Sequence, residues 1–287
     1  MDLQSLTLVV ITLGAAVVNG ALGYGFSSIT VPLALLFLSN RVLNPALVVI
    51  EVPLNAYVLW VNRAALPRVW LRTFPIVLGL VPGVAIGTLI VARVSPGWLK
   101  LSTFGVLLPL ILLQAAGYRR PIRSERSIGL PFGCGVGVLY SVTTISGPPL
   151  ALLLNNQGFV KREFRAALGL VRLAESTFTA LAYISAGLFA RQSLALAPYM
   201  IPSVLIGVPV GAFVIRQIRV ETFRRVCMSF DAWVVAFGLS TLLRGLHIVD
   251  GSPAFLVLAA VVLVDGWLLH RFFLESHSDV SRSFAGA

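Results

Sequence analysis

Charge is what this sequence has least of. Asp, Glu, Lys and Arg make up 11% of its 287 residues, against roughly 25% in a soluble domain. That scarcity, with 57% hydrophobic residues and several apolar stretches of about 20 residues, excludes an ordinary soluble fold and makes the chain a polytopic membrane protein. Acids are scarcer than bases, 11 against 22, for a formal charge of +11. In a membrane protein Lys and Arg gather in cytoplasmic loops, so this excess does not point to nucleic acid. There are two cysteines, Cys134 and Cys227. Both lie in apolar segments and outside any CxxC spacing, which excludes a disulfide framework or thiolate metal site and leaves packing roles. None of the three histidines is central in an apolar segment, which excludes a histidine proton relay. HExxH, GxSxG, P-loop and Ser/His/Asp patterns are missing, so neither an enzyme nor an ATP-driven pump is expected, and no cofactor. The N-terminus has no basic n-region and no A-x-A cleavage site, so its first apolar segment is expected to be retained.

Apolar segments fall near 5–38, 42–62, 72–92, 98–117, 128–154, 166–188, 196–215, 224–243 and 253–273. The first is too long for one crossing: as a straight helix it would measure about 51 Å, against a hydrocarbon core of about 30 Å. Its middle, "NGALGYGFSSITVP", holds its polar and flexible residues. The segment 128–154 has a comparable interruption, "YSVTTISGPP".

Basic residues distinguish a crossing from a return. If both interrupted segments turn back as re-entrant hairpins, sixteen Lys and Arg fall on one side (Arg63, Arg119, Arg162 and Arg224 among them). Five fall on the other: Arg41, Arg93, Lys100, Arg191 and Arg244. If both segments cross fully, the split is twelve to nine. The positive-inside rule favours the hairpins, with the N-terminus outside and the C-terminus cytoplasmic in a cell (inner) membrane.

An internal repeat agrees. "PLALL" at 32–36 recurs at 149–153, and both Glu51/Glu175 and the GxxxG pairs Gly83/Gly87 and Gly207/Gly211 recur at an offset of 124. Each repeat would be one hairpin plus three spans. An odd number of crossings makes the second enter from the opposite face, the inverted-topology repeat of secondary transporters. The expected fold is a single all-α transmembrane domain over 1–287. Repeat 1 spans about 5–117, repeat 2 about 128–243, and an extra helix about 253–273.

Non-helical backbone at membrane depth is tolerated where it is buried in protein or lines a polar cavity. The interruptions are therefore candidate substrate contacts: Asn19, Gly23, Tyr24, Gly25, Ser27 and Ser28 in the first, Thr143, Thr144, Ser146 and Gly147 in the second. Glycine permits the turns. The Ser and Thr hydroxyls are expected to cap the half-helices that follow, with Pro149 or Pro148 at the first helical position. Two half-helix N-termini would then face the midplane and favour anions.

On "NGALGYGFSSITVP", on "GVLYSVTTISGPPLALLL" after a basic central loop, and on the GxxxG-bearing third segment of each half, the chain resembles the sulfite exporter TauE/SafE family, also called the toluene-sulfonate uptake permeases. The resemblance covers nearly the whole chain. It implies transport of sulfite, organosulfonates or related small anions, inward or outward. The first motif reads G-Y-G where relatives often carry a longer glycine run.

Ionisable residues inside apolar segments are functional candidates. Glu51 and Glu175 each lie about nine residues into a segment, about 14 Å deep. Paired carboxylates there suit proton or cation coupling; hydrogen-bonded structural acids are the alternative. Arg172, three residues before Glu175, would hold a sulfonate or carboxylate with its planar fork. Alternatively it pairs with Glu175 on the same helix face or snorkels to the cytoplasmic surface. Asp231 and Asp265 lack repeat partners, Leu107 standing at the position equivalent to Asp231, and structural pairing is expected for both.

The leading reading is a secondary active transporter of small anions, working by alternating access around two broken helices. A passive anion channel would share those features without coupling, and a membrane-embedded enzyme is a third class. The expected partners are a small anionic substrate, the bilayer and a coupling proton or sodium ion. No metal site or nucleic-acid partner is expected, and a homo-oligomer is left open.

Overall fold

The computed structural model describes residues 3–116, 125–156, 159–217 and 220–285. Arg119, Arg120, Arg123 and Arg219, counted among the basic loop residues, lie outside them. The described residues are helical and contain no strand. In order the helices are α1 (Leu3–Leu22), α2 (Phe26–Ala34), α3 (Asn40–Val61), α4 (Leu66–Arg93), α5 (Pro96–Ala115), α6 (Glu125–Thr143), α7 (Gly147–Asn156), α8 (Lys161–Ser185), α9 (Arg191–Val214), α10 (Val220–Gly245) and α11 (Leu256–Ala285). Single 3₁₀ turns precede α4 and α11. Among the described residues eight helices are long and apolar enough to cross a membrane. Their outer surface suits lipid: Leu3, Leu71, Leu205 and Leu263 are 69–80% exposed, a surface water would not tolerate over such an area.

Both long apolar runs are broken where glycine or hydroxyl residues interrupt them. The breaks fall late in each run. A long arm, α1 or α6, is followed by a short one, α2 or α7, of 9 and 10 residues. Helices this short measure about 14–15 Å, half the hydrocarbon thickness. The length of the first arm has a packing reason. α1 lies against α9 and α6 against α4, with glycines along both contacts. A Cβ on Gly83 would run into the Cys134 carbonyl, and one on Gly133 into the Ile76 carbonyl. The other pair repeats the pattern, with Gly211 against Val17 and Gly20 against Val208. These contacts give the two GxxxG motifs their purpose, close approach of helix backbones where lipid supplies no hydrophobic drive.

Other pairings are matched too. α3 packs on α8, α5 on α10, α2 on α10, and α7 on α5. Helix ends are closed by buried or half-buried cations. Arg41 donates to the carbonyls of Val91, Ala92 and Val94 at the end of α4 (3.0–3.1 Å). Lys100 donates to the Leu35 carbonyl after α2 (2.6 Å). Both satisfy carbonyls that a helix terminus leaves free.

α11 stands apart from this pattern and is pinned to α10 by Arg225 and Asp265 (2.8 Å), both buried. Arg225 is thus an interior residue, although the charge pattern placed it in a basic loop. Asp265 has the partner expected of it. Asp231 does not: its carboxylate makes no hydrogen bond or ion pair among the described residues, which corrects the expectation that both were paired.

Candidate functional site

The first break runs through Gly23 (φ 84°) and Gly25 (φ 109°), left-handed conformations that glycine adopts without a Cβ clash. Gly25 is itself the residue preceding α2, and no side chain caps that helix. Ser27 and Ser28 therefore lie inside the first turn rather than capping it, which corrects one expectation. Ser27 Oγ donates to Glu51 Oε1. In the second break the left-handed residue is Thr144 (φ 55°), not Gly147, whose φ is ordinary. Thr143 Oγ1 accepts from the Ile145 N–H (3.0 Å) and donates to the Leu139 carbonyl (2.7 Å), bracing the turn internally. Ser146 Oγ points away from capping and donates to Glu175 Oε2 (2.5 Å). Pro148 and Pro149 occupy the second and third positions of α7 rather than the first.

Each break thus gives one serine to the glutamate of its own half, Ser27 to Glu51 and Ser146 to Glu175. Arg172 connects the halves. Its Nη2 lies 3.0 Å from Glu51 Oε1, both side chains being buried (3% and 0% exposed). The intrahelical pair with Glu175 is not formed, and neither is the snorkelling alternative. At three residues' spacing on α8 the two side chains lie on one face, but α3 packs directly against that face and offers its own carboxylate. Asn55, one turn after Glu51, fixes the same contact from the other direction, donating to the Arg172 carbonyl (3.3 Å). Ser176 Oγ sits within 3.5 Å of the same amide.

The two glutamates are unequal. Glu51 accepts from Ser27, Arg172 and the Tyr140 hydroxyl (2.6 Å). Glu175 accepts from Ser146 alone, and its Oε1 has no partner. Arg172 also has Nε and Nη1 buried without partners. A buried guanidinium with free donors beside a buried carboxylate with a free acceptor is chemically unfinished, since such groups cost free energy until they are paired.

The breaks approach each other through Tyr24, whose ring lies over Gly147; a Cβ there would stand 3.1 Å from it. The Tyr24 hydroxyl is 3.5 Å from the Gln114 amide nitrogen. Asn19 is 1% exposed, and both its amide atoms lack partners. It lies with Gly23 on a cavity of about 820 Å³ between α1, α3 and α9, otherwise mostly apolar, which also reaches Asn62 and Arg165.

Several residues around the site went unremarked in the sequence. Tyr140 holds Glu51, and Asn44 donates to the Val142 carbonyl beside the second break (2.7 Å). Asn40 adds a contact to that carbonyl and to Thr103 (3.4 and 3.2 Å). Asn40 and Asn44 stand one helical turn apart near the start of an apolar segment. That pairing of amides was the available signal. No group of metal-ligating side chains occurs among the described residues.

No curated protein and no solved structure gave a match to the chain. The family model described as "Sulfite exporter TauE/SafE" matches residues 8–239. The matched range includes every residue of the site described above.

Proposed function

The chain belongs to the sulfite exporter TauE/SafE family, and on that premise we propose that it is a secondary active transporter of small anions, sulfite or organosulfonates, working by alternating access. The observation that carries this reading is Arg172: a guanidinium buried at membrane depth, neutralised on one nitrogen by Glu51 and holding two further nitrogens free. An anionic oxygen could complete that donor set, with the free N–H groups in the first turn of α2 as the proposed further donors; α7 has prolines at its second and third positions and offers fewer. Asn19, Gly23, Tyr24, Gly25, Ser28, Thr143, Thr144 and Gly147 would line the substrate's path at the breaks. Ser27 and Ser146 would hold the glutamates. The cavity below Asn19, with Arg165 on its wall, is the proposed approach from the cytoplasmic side.

Coupling falls to the two glutamates with different tasks. Glu51 stays the counter-ion of Arg172, because losing its charge would leave a buried cation alone. Glu175, held by Ser146 on one oxygen and without a partner on the other, is the group free to exchange a coupling proton or sodium ion. The halves are read as inverted repeats, 5–117 and 128–243, in one domain, with the N-terminus outside and the C-terminus in the cytoplasm. Crossed packing of α1 on α9 and α6 on α4 supports the repeat, since each half treats the other in the same way.

The test is transport by purified protein in liposomes. A thermal-shift screen over sulfite, thiosulfate, taurine and sulfoacetate selects the anion, and its accumulation is followed under an imposed pH or sodium gradient. Accumulation beyond equilibrium supports the proposal. Movement that only dissipates the anion's own gradient would make the protein a channel instead, and chemical alteration of the anion would make it an enzyme.

A further inference from the structure

Asp231 is a carboxylic acid with no hydrogen bond or ion pair among the described residues. It is 8% exposed on α10, a helix long and apolar enough to cross a membrane. The small cavity it lines is where the two breaks converge: Tyr24 and Gly25 come from the first break, Ser28 from the first turn of α2, and Pro148 from the start of α7. Its volume of about 20 Å³ holds about one water-sized group. The other titratable or charged groups near Asp231 are few. Cys227 and Arg224 share its helix and line the same cavity, and Arg224 is already engaged by Glu221 (2.6 Å). α5 contributes Gln114, and its Lys100 is bound to the Leu35 carbonyl. On α11 Asp265 is occupied by Arg225. α1 and α2 bring no charge.

We propose that Asp231 is a second proton site, distinct from Glu175, whose carboxylate competes with the transported anion for the N-termini of the two broken helices. The inference rests on the transport reading above. An ionised Asp231 supplies the negative charge those N-termini favour. An anion drawn to those same N-termini would meet an ionised Asp231 in low-dielectric surroundings, where like charges repel. A proton on Asp231 removes the repulsion and leaves a hydroxyl donor. Anion and proton therefore bind together, by linkage. The second half alone carries this acid, since its repeat position in the first half is Leu107; one such group at a shared meeting point is sufficient.

The experiment measures affinity against pH. Binding of ethanesulfonate and of thiosulfate, both fully ionised from pH 5 to pH 8, is measured on detergent-purified wild type, Asp231→Asn and Asp231→Leu. The Leu variant copies the side chain at the repeat position and guards against a failure of the Asn variant to fold. In the wild type, affinity should fall with rising pH more steeply than in either variant, by about tenfold per pH unit for one linked proton. Both variants should bind at high pH at least as tightly as the wild type. Equal slopes in wild type and variants, or a flat wild-type profile, would overturn the role of Asp231 and leave the transport reading standing. Failure of the wild type to bind either anion at any pH would count against the transport reading itself and take this inference with it.

Discussion

Arg172 on α8 and Glu51 on α3 form a buried ion pair, 3.0 Å apart, that joins the two halves of the chain across α3 and α8. Glu175, three residues from Arg172 on the same helix, is left out of it. This relationship makes the consequences of mutation in the two halves unequal.

Glu51→Gln should strand Arg172 as an uncompensated buried charge and cost about 3–5 kcal/mol, the soluble-protein figure for breaking such a pair. Arg172→Met should do the same to Glu51. The double variant should recover most of that stability, read as melting temperature in detergent, yet fail to transport. Normal transport by the double variant would remove Arg172 from the binding site. Arg172→Lys should keep the protein level and weaken anion affinity, since lysine preserves the charge and lacks the planar fork.

Glu175→Gln should behave differently, because only Ser146 depends on it. Expression and anion binding should persist, while accumulation driven by a pH gradient is lost and exchange of internal for external anion continues. Undiminished pH-driven accumulation in this variant would take coupling away from Glu175.

The turns make opposite predictions at two threonine and glycine positions. Gly25→Ala forces a Cβ into a left-handed residue (φ 109°) and should lower stability by about 1–3 kcal/mol, whereas Thr144→Gly relieves a branched residue held at φ 55° and should raise it, by about 1 kcal/mol or more. Thermal unfolding of both variants in one detergent reads the two signs. Stabilisation by the first, or destabilisation by the second, would contradict the assigned break geometry.

Close helix contacts should be sharply position-specific. Gly211→Ala drives a methyl into the Val17 carbonyl, while Gly14→Ala, on the same packed pair of helices, meets nothing within 4 Å. The first should lose about 1–3 kcal/mol, the range for overpacking, and appear as reduced monodisperse yield. The second should be neutral.

Membrane sidedness is tested by single cysteines at exposed positions. Replacements of Arg68 and Arg162 should react only from the cytoplasm, and those of Gln192 and Asp250 only from outside. Reaction of Arg68 and Arg162 from opposite faces would rule out a returning second break.

The broken helices, the buried glutamates and the close-packed glycines were readable in the sequence because each violates a local rule of membrane segments. A 34-residue apolar run, a carboxylate at depth and a GxxxG at a repeated offset are visible without coordinates. Partner choice was not. Helical periodicity put Arg172 and Glu175 on one face but carried no information on which neighbouring helix would cover it, and α3 did so with Glu51. Hydroxyls beside a break suggested caps, yet burial next to a carboxylate gave Ser27 and Ser146 a stronger acceptor. Thr144 shows the same limit in the backbone. The sequence offered Gly147 for the turn, and the left-handed residue is instead the threonine three positions earlier, braced by its neighbours. Asp231 and Asp265 looked alike along the chain and differ because α11 brings Asp265 to Arg225, while Arg224, the base that lines the cavity of Asp231, is taken by Glu221.

The crossed packing of the long arms also dictates an order of assembly. α1 has its glycine-lined surface completed by α9, and the hydrogen bond from Ser203 Oγ to the Val9 carbonyl spans 194 residues. At a synthesis rate of about 5–20 residues per second, α1 waits on the order of ten to forty seconds in the bilayer before its partner exists. α4 waits less, only until α6 follows it. During that interval the first half is a set of inserted helices with exposed glycine faces rather than a finished unit. Neither half covers its glycine faces by itself, and a truncation that removes α9 should leave α1 as a surface for degradation machinery even though every residue of the first half is present.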